Sequence, residues 1–244
     1  MASSCFADHL GDFVALTPTE RDAIHRLEER ERILRRTGIL VRENDRAGEL
    51  FILKRGMMMS YVLLDDGSRQ ILRFLFPGDM MGVASIAYAL SPETIVALTD
   101  CTVCPFECGA LAQLMTEHPR LGAAIMVLHQ MERVSLTDRL VGLGRTSAKV
   151  RVASLLLELR NRMRRFDPEI GSSFVLGLTQ EEIGDATGLT AVHVNRMLRQ
   201  LEDDGLIGRE NGRVLFRDEV RLARAANYVD RFEGLDLSWL PAAR

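Results

Sequence analysis

Two patterns of apolar and polar positions divide the chain. From residue 33 to 107 the apolar residues come in short blocks bounded by turn formers, the mark of strands. MMMSYVLL and RQILRFLF flank DDGS, a strand–turn–strand pattern with an Asp-Gly signal. PGD at 77–79 is another turn, and GILV, LFILK, ETIVALT and CTVCPF are further β-type runs. Many short strands with turns between them predict a small antiparallel sandwich or barrel. Ahead of them, residues 17–32 open with Thr17, Pro18 and Glu20, a capped helix start. That helix is highly charged and is expected on the surface.

After Pro119 the apolar spacing changes to three and four residues. Leu121, Ala124, Leu128 and Met131 form one stripe, widened by Ile125, Val127 and Val134. A helix apolar on more than one face is expected to pack on its own sheet and on a twin helix. Those four stripe residues are the candidate dimer interface; a core helix in a monomer is the alternative. Gly142 and Gly144 predict a break and a hinge over 142–146, after which Thr146 or Ser147 can cap VRVASLLLELRNRMRRF. DPEIGSS follows as a loop.

LTQEEIGDATGLTAVHVNRMLRQLEDDGLI, residues 178–207, predicts two short helices joined by a corner. Thr179 and Glu182 form a capping box, Gly188 ends the first helix, and Thr190 caps the second. Val194, Leu198 and Leu201 point inward. Ala191, Val192, His193, Asn195, Arg196 and Arg199 lie mostly off that face. Such a helix-turn-helix suits the major groove of DNA. The first five of those residues are the candidate base contacts, since an arginine there can fork onto guanine. Thr179, Gln180 and Thr190 at helix starts, with Arg199, are candidate phosphate contacts. Asn211-Gly212 in IGRENGRVLF predicts a hairpin, a wing whose Arg209 and Arg213 are also expected at phosphates.

Composition adds little to this. The 244 residues are 47 % hydrophobic and 27 % charged, with a net charge of −3. A nucleic-acid reading must therefore rest on local geometry rather than on a basic field. No apolar run is long enough to span a membrane and no secretory signal opens the chain, so a cytoplasmic protein with reduced cysteines is expected. No nucleophile motif, P-loop or metal-spaced histidine pair points to an enzyme. Asp65-Asp66 sits in a turn before Gly67. A regulatory module working through protein contacts is the alternative to DNA binding; Asn195, Arg196 and the Asn-Gly wing favour DNA.

These residues resemble the CRP-FNR family of bacterial transcription regulators. The likeness rests on the order of elements, on Gly56 after LFILKR, on PGDMMG at 77–82, and above all on LTQEEIGDATGLTAVHVNRMLRQLEDDGLI. It covers roughly residues 17–222. The resemblance implies an α+β fold: an N-terminal antiparallel β-roll (cupin-like), a long dimerisation helix, and a C-terminal winged helix-turn-helix. The divisions expected are 1–116, 117–144, 145–222 and a tail 223–244. It implies a homodimer on a two-fold-symmetric site in double-stranded DNA, with RNA polymerase as a further partner if the outcome is activation. Arg196 matches the family's base-reading arginine. Val192 stands where the family usually has a base-reading glutamate, so a different half-site is expected.

The resemblance also frames what the sensory part lacks. The family's cyclic-nucleotide pocket uses a Gly-Glu pair and then an arginine. Here Val83 follows Gly82, and no arginine stands near Ser91 and Pro92. No Lys or Arg occurs from Phe74 through Pro119, a span with five acids. No response to cyclic AMP is expected, because a buried phosphate needs compensating charge or donors. The family's iron–sulfur sensors use several cysteines near the N-terminus; here Cys5 stands alone there, and Cys101, Cys104 and Cys108 follow later. If CTVC is a strand, Cys101 and Cys104 point to opposite faces. Packing thiols are expected first and redox thiols at Cys101 and Cys104 second. No metal site and no cofactor is expected. The last segment, VDRFEGLDLSWLPAAR with Trp239, is expected to fold back on the protein without a known role.

Overall fold

A computed structural model describes residues 4–46 and 48–242. The chain divides into two compact units: residues 1–62, 73–133 and 234–244, and residues 63–72 and 134–233.

Helices α1 (Cys5–Gly11) and α2 (Pro18–Leu27) precede eight short strands, which belong to the first unit except for Leu63 and residues 69–72. These are β1 (Arg32–Leu34), β2 (Ile39–Val41), β3 (Glu49–Arg55), β4 (Met58–Leu63), β5 (Arg69–Leu75), β6 (Met80–Met81), β7 (Thr94–Ala97) and β8 (Cys101–Glu107). They form two four-stranded sheets, in the orders β1-β8-β3-β6 and β2-β7-β4-β5. Strand β3 shows why the unit has two cores. Phe51 and Leu53 enter the core between the sheets, with Leu34, Met58, Leu75, Ile95 and Val103. Leu50 and Ile52 point the other way, into a core completed by Phe6, Leu10, Ile24, Leu27, Leu111 and Leu121 from helices. This is the period-two alternation of a strand buried on both faces.

Three elements depart from expectation. Helix α1 and strands β1 and β6 were not foreseen; each is short and held by tertiary pairing. Helix α2 has the expected Thr17–Glu20 capping box and lies at the surface with one face buried. Ile24 is fully buried, and buried Glu20 accepts two bonds from the Arg120 guanidinium at 2.9 and 3.0 Å. Trp239 is exposed; its neighbours Leu237 and Leu240 are the tail residues that pack back on the helical core.

Helix α3 (Cys108–Glu117) leads to α4 (Pro119–Arg145). Here two expectations are corrected. The helix runs through Gly142 and Gly144, and the break falls at Thr146 and Ser147, where Ser147 caps α5 (Ala148–Phe166). More importantly, Leu121, Ala124 and Met131 are buried within this chain, and Leu128 packs on the same core. At about 100° per residue these four lie on one side of the helix. The opposite side carries Ala123, Met126, Gln130, Arg133, Thr137 and Leu140, spaced alternately by three and four residues, with Leu140 70 % exposed. The expected dimer face is the intramolecular one.

In the second unit, α5 packs against α6 (Gln180–Thr187), α7 (Ala191–Asp203) and α8 (Glu219–Ala226). Strand β9 (Ser173–Val175), which begins at the last residue of the expected loop, joins the hairpin β10 (Ile207–Glu210) and β11 (Arg213–Phe216) in the order β10-β11-β9. Phe174 and Phe216 meet edge to face at 5.3 Å between ring centres and seal that small sheet. Among the described residues, no helix is long and apolar enough to cross a membrane.

Candidate nucleic-acid interface

Local chemistry sets the corner between α6 and α7. Thr179 accepts from the Glu182 amide at 3.1 Å, and the Glu182 carboxylate accepts from the Thr179 amide at 2.7 Å. Gly188 ends α6 in the left-handed region, at φ 65°. The turn then folds so tightly that a Cβ on Gly184 would lie 2.3 Å from the Leu189 carbonyl oxygen. Gly184 is thus a determinant of the corner that periodicity could not reveal. The Thr190 hydroxyl accepts from the His193 amide at 3.3 Å and starts α7.

Helix α7 is anchored on one face only. Val194, Met197, Leu198 and Leu201 are buried; Met197 completes the inward set read from spacing. The other face presents Val192, 82 % exposed, together with exposed Arg196 and Arg199 and half-buried Ala191, His193 and Asn195. Among the described residues, Arg196 has no hydrogen bond or ion pair, so its guanidinium is available. Thr179, Gln180 and Thr190 are exposed at the two helix starts, where unpaired amides and the helix dipoles favour an anion.

The wing's arginines make contacts within the unit. Asn211 and Gly212 take positive φ, 50° and 75°, as a tight hairpin requires. Arg209 pairs with Glu202 at 2.6 Å and reaches Asn195 Oδ1 at 3.5 Å. That bond to Arg209 holds the Glu202 carboxyl below its usual range, against the opposing effect of burial. Arg213 donates to the Ser173 carbonyl at 2.9 Å and to its hydroxyl at 3.0 Å. Both residues tie the wing to α7 and to β9, and Arg213 stays exposed.

In the first unit, Gly82 adopts left-handed geometry and caps a short 3-10 helix, Val83–Ile86. Arg73 lies one residue before the cation-free span and supplies what that span lacks. It pairs with Glu93 at 2.8 Å and also with Glu132 of α4, beside which His129 stands at 3.6 Å. Burial first, and then Arg73, pushes the His129 pKa down. The acids are therefore partly neutralised from within.

The cysteines do not fit a shared cluster. Cys101 lies in the core between the sheets and Cys104 in the helical core, on opposite faces of β8. Burial pushes the Cys104 thiol up to about 12 and raises Cys101 as well. Neither carries the lowered pKa of an activated thiol. Among the described residues, no group of three or more His, Cys, Asp or Glu side chains could hold a metal ion.

Comparison with known proteins agrees with this geometry. Residues 150–225 match the Crp-like helix-turn-helix domain, and residues 31–118 match the cyclic nucleotide-binding domain. The chain belongs to the CRP-FNR family. Within it, the nitrogen fixation regulation protein FixK of Bradyrhizobium diazoefficiens is 32 % identical over 75 % of this chain and 76 % of its own length. The transcriptional activator protein anr of Pseudomonas aeruginosa is 27 % identical over 87 % of each chain. The structure of FixK2 from Bradyrhizobium japonicum superposes with a TM-score of 0.72 at 27 % identity, covering 80 % of this chain and 96 % of that one. CRP-FNR membership makes the protein a transcription regulator with a helix-turn-helix DNA-binding domain on an α+β frame.

Proposed function

We propose that the protein binds a two-fold-symmetric DNA site as a homodimer and regulates transcription from it. The observation that carries this reading is the outer face of α7, where Arg196 stands exposed beside Val192 and, among the described residues, unengaged. One α7 enters each of two successive major grooves. Arg196 forks onto a guanine, and Val192 packs on a thymine methyl where a glutamate would accept from cytosine. Asn195, His193 and Ala191 flank that contact, and Thr179, Gln180, Thr190 and Arg199 hold phosphates around it.

The seam Ala123, Met126, Gln130, Arg133, Thr137 and Leu140 supports pairing of α4 with its twin, since alternate three- and four-residue spacing is that of a coiled coil. Relatives named transcriptional activators, anr among them, favour activation through contact with RNA polymerase. The protein works in the cytoplasm, where its DNA is. Fluorescence anisotropy with a selected duplex and with a scrambled one tests the reading. A preference of about 10³-fold or more for the selected duplex supports sequence-specific regulation. Equal affinity for both overturns it.

A further inference from the structure

The segment after α8, which the sequence left without a role, closes a cavity inside the second unit. Residues 227–232 are strapped across α4 and α5. The Arg231 guanidinium donates twice to Asp138 of α4, at 2.6 and 2.9 Å. Asn161 of α5 donates to Asp230 at 3.0 Å and to the Tyr228 hydroxyl at 3.3 Å. The guanidiniums of Arg162 and Arg165 lie 4.8 and 4.6 Å from the Phe232 ring centre.

Behind this strap is a cavity of about 290 Å³. An engineered apolar cavity of roughly 150 Å³ is enough to hold benzene. Much of the lining is apolar, with Leu143, Val150, Leu155, Ala186 and Val229 among the residues. Its charges are mostly paired within the wall: Asp138 with Arg231, and Glu158 with Arg139 at 3.0 Å. Arg162, whose buried Nε finds no acceptor among the described residues, lies over the Phe232 ring; Arg151 differs from the rest. It donates to the Leu143 carbonyl at 3.1 Å, has no carboxylate partner among the described residues, and keeps a buried Nε without an acceptor. Asn161, three turns along the same helix, keeps a buried and unpartnered Oδ1.

We propose that this cavity binds a small amphiphilic monocarboxylate, with its carboxylate on Arg151 and its apolar body under the strap. Arg151 is half-buried, but its Nε is sealed from water with no acceptor among the described residues, which is costly, and the planar fork fits two carboxylate oxygens. With Asp138 and Glu158 already neutralised by Arg231 and Arg139, a single carboxylate matches the charge on Arg151. Ala186 and Thr187, the last residues before the Gly188 turn, also line the cavity. Occupancy therefore bears on the α6–α7 corner and changes DNA affinity, and DNA changes ligand affinity by the same factor. This coupling rests on the DNA-binding reading; the binding site itself does not.

The test is calorimetry on the full chain with phenylbutyrate and with its neutral counterpart, phenylbutanol. One saturable site per chain is expected for the acid, with a Kd of about 1 mM or tighter. The alcohol, and the acid with Arg151→Met, should each bind about tenfold more weakly. Ser154→Leu fills the cavity and should abolish binding of both, which decides the matter if the Arg151 variant does not fold. The proposal is overturned if the acid gives no saturable heat, if the alcohol binds as tightly, or if binding survives both substitutions. DNA affinity is measured in parallel without either probe. Ligand binding that persists in a protein unable to recognise DNA removes the coupling and leaves the site.

Discussion

Replacing Arg196 with alanine separates recognition from folding. Among the described residues the side chain is exposed and has no internal partner, so its loss should leave stability within about 0.5 kcal/mol of the parent. The cost falls on the complex. A forked arginine–guanine contact discriminates by about 1–3 kcal/mol, and a symmetric dimer makes it twice, for about 2–6 kcal/mol in all. That is a loss of roughly 30-fold to roughly 20,000-fold in affinity for the specific site. Binding to random duplex should fall far less, because one base contact contributes little to phosphate attraction. Anisotropy titrations on specific and random duplexes at several salt concentrations read both quantities. Equal weakening on the two duplexes would show that Arg196 touches backbone, and an undiminished specific affinity would remove it from the interface.

Other expected outcomes follow from particular contacts. Gly184→Ala drives a methyl into the Leu189 carbonyl and should destabilise the second unit by about 1–3 kcal/mol or more, measured by denaturant unfolding. Leu140→Glu places like charges across the α4 seam and should shift sedimentation from dimer to monomer, with loss of DNA binding at the same concentration. Glu20→Ala strands the largely buried Arg120 guanidinium and should cost about 3–5 kcal/mol. Burial alone would raise the Glu20 pKa, but the Thr17 amide and Arg120 outweigh it and hold it below the ordinary value. The stabilisation is therefore full above the ordinary glutamate range and fades as pH falls through the lower folded-state value; acid unfolding of parent and variant, which should converge at low pH, checks the sign.

Much of the DNA-facing half could be read from the sequence because its signals are local. Thr179, Glu182, Gly188 and Thr190 fix helix ends by their own chemistry, and Asn211-Gly212 fixes a hairpin. The engagement of Arg209 and Arg213 was not legible, since their partners Glu202 and Ser173 lie on other elements. Helix α4 shows a deeper limit. Periodicity found its apolar stripe, but a stripe cannot say whether it faces its own sheet or a second copy. The more polar side, with Gln130, Arg133 and Thr137, is the one left exposed. Gly142 and Gly144 read as a break, yet the helix continues through both. Their cost of about 1 kcal/mol each is small enough for tertiary packing to override. The strap over 227–232 depends on Asp138 and Asn161, far away in sequence, and so left no local trace.

Selection of bound duplexes from a random pool tests the central claim most directly. The account predicts an inverted repeat with half-site centres about one helical turn apart, roughly 10 base pairs, and a half-site containing a guanine for Arg196 and a thymine for Val192. Enrichment of a single unsymmetrical site, or of no sequence at all, would contradict it.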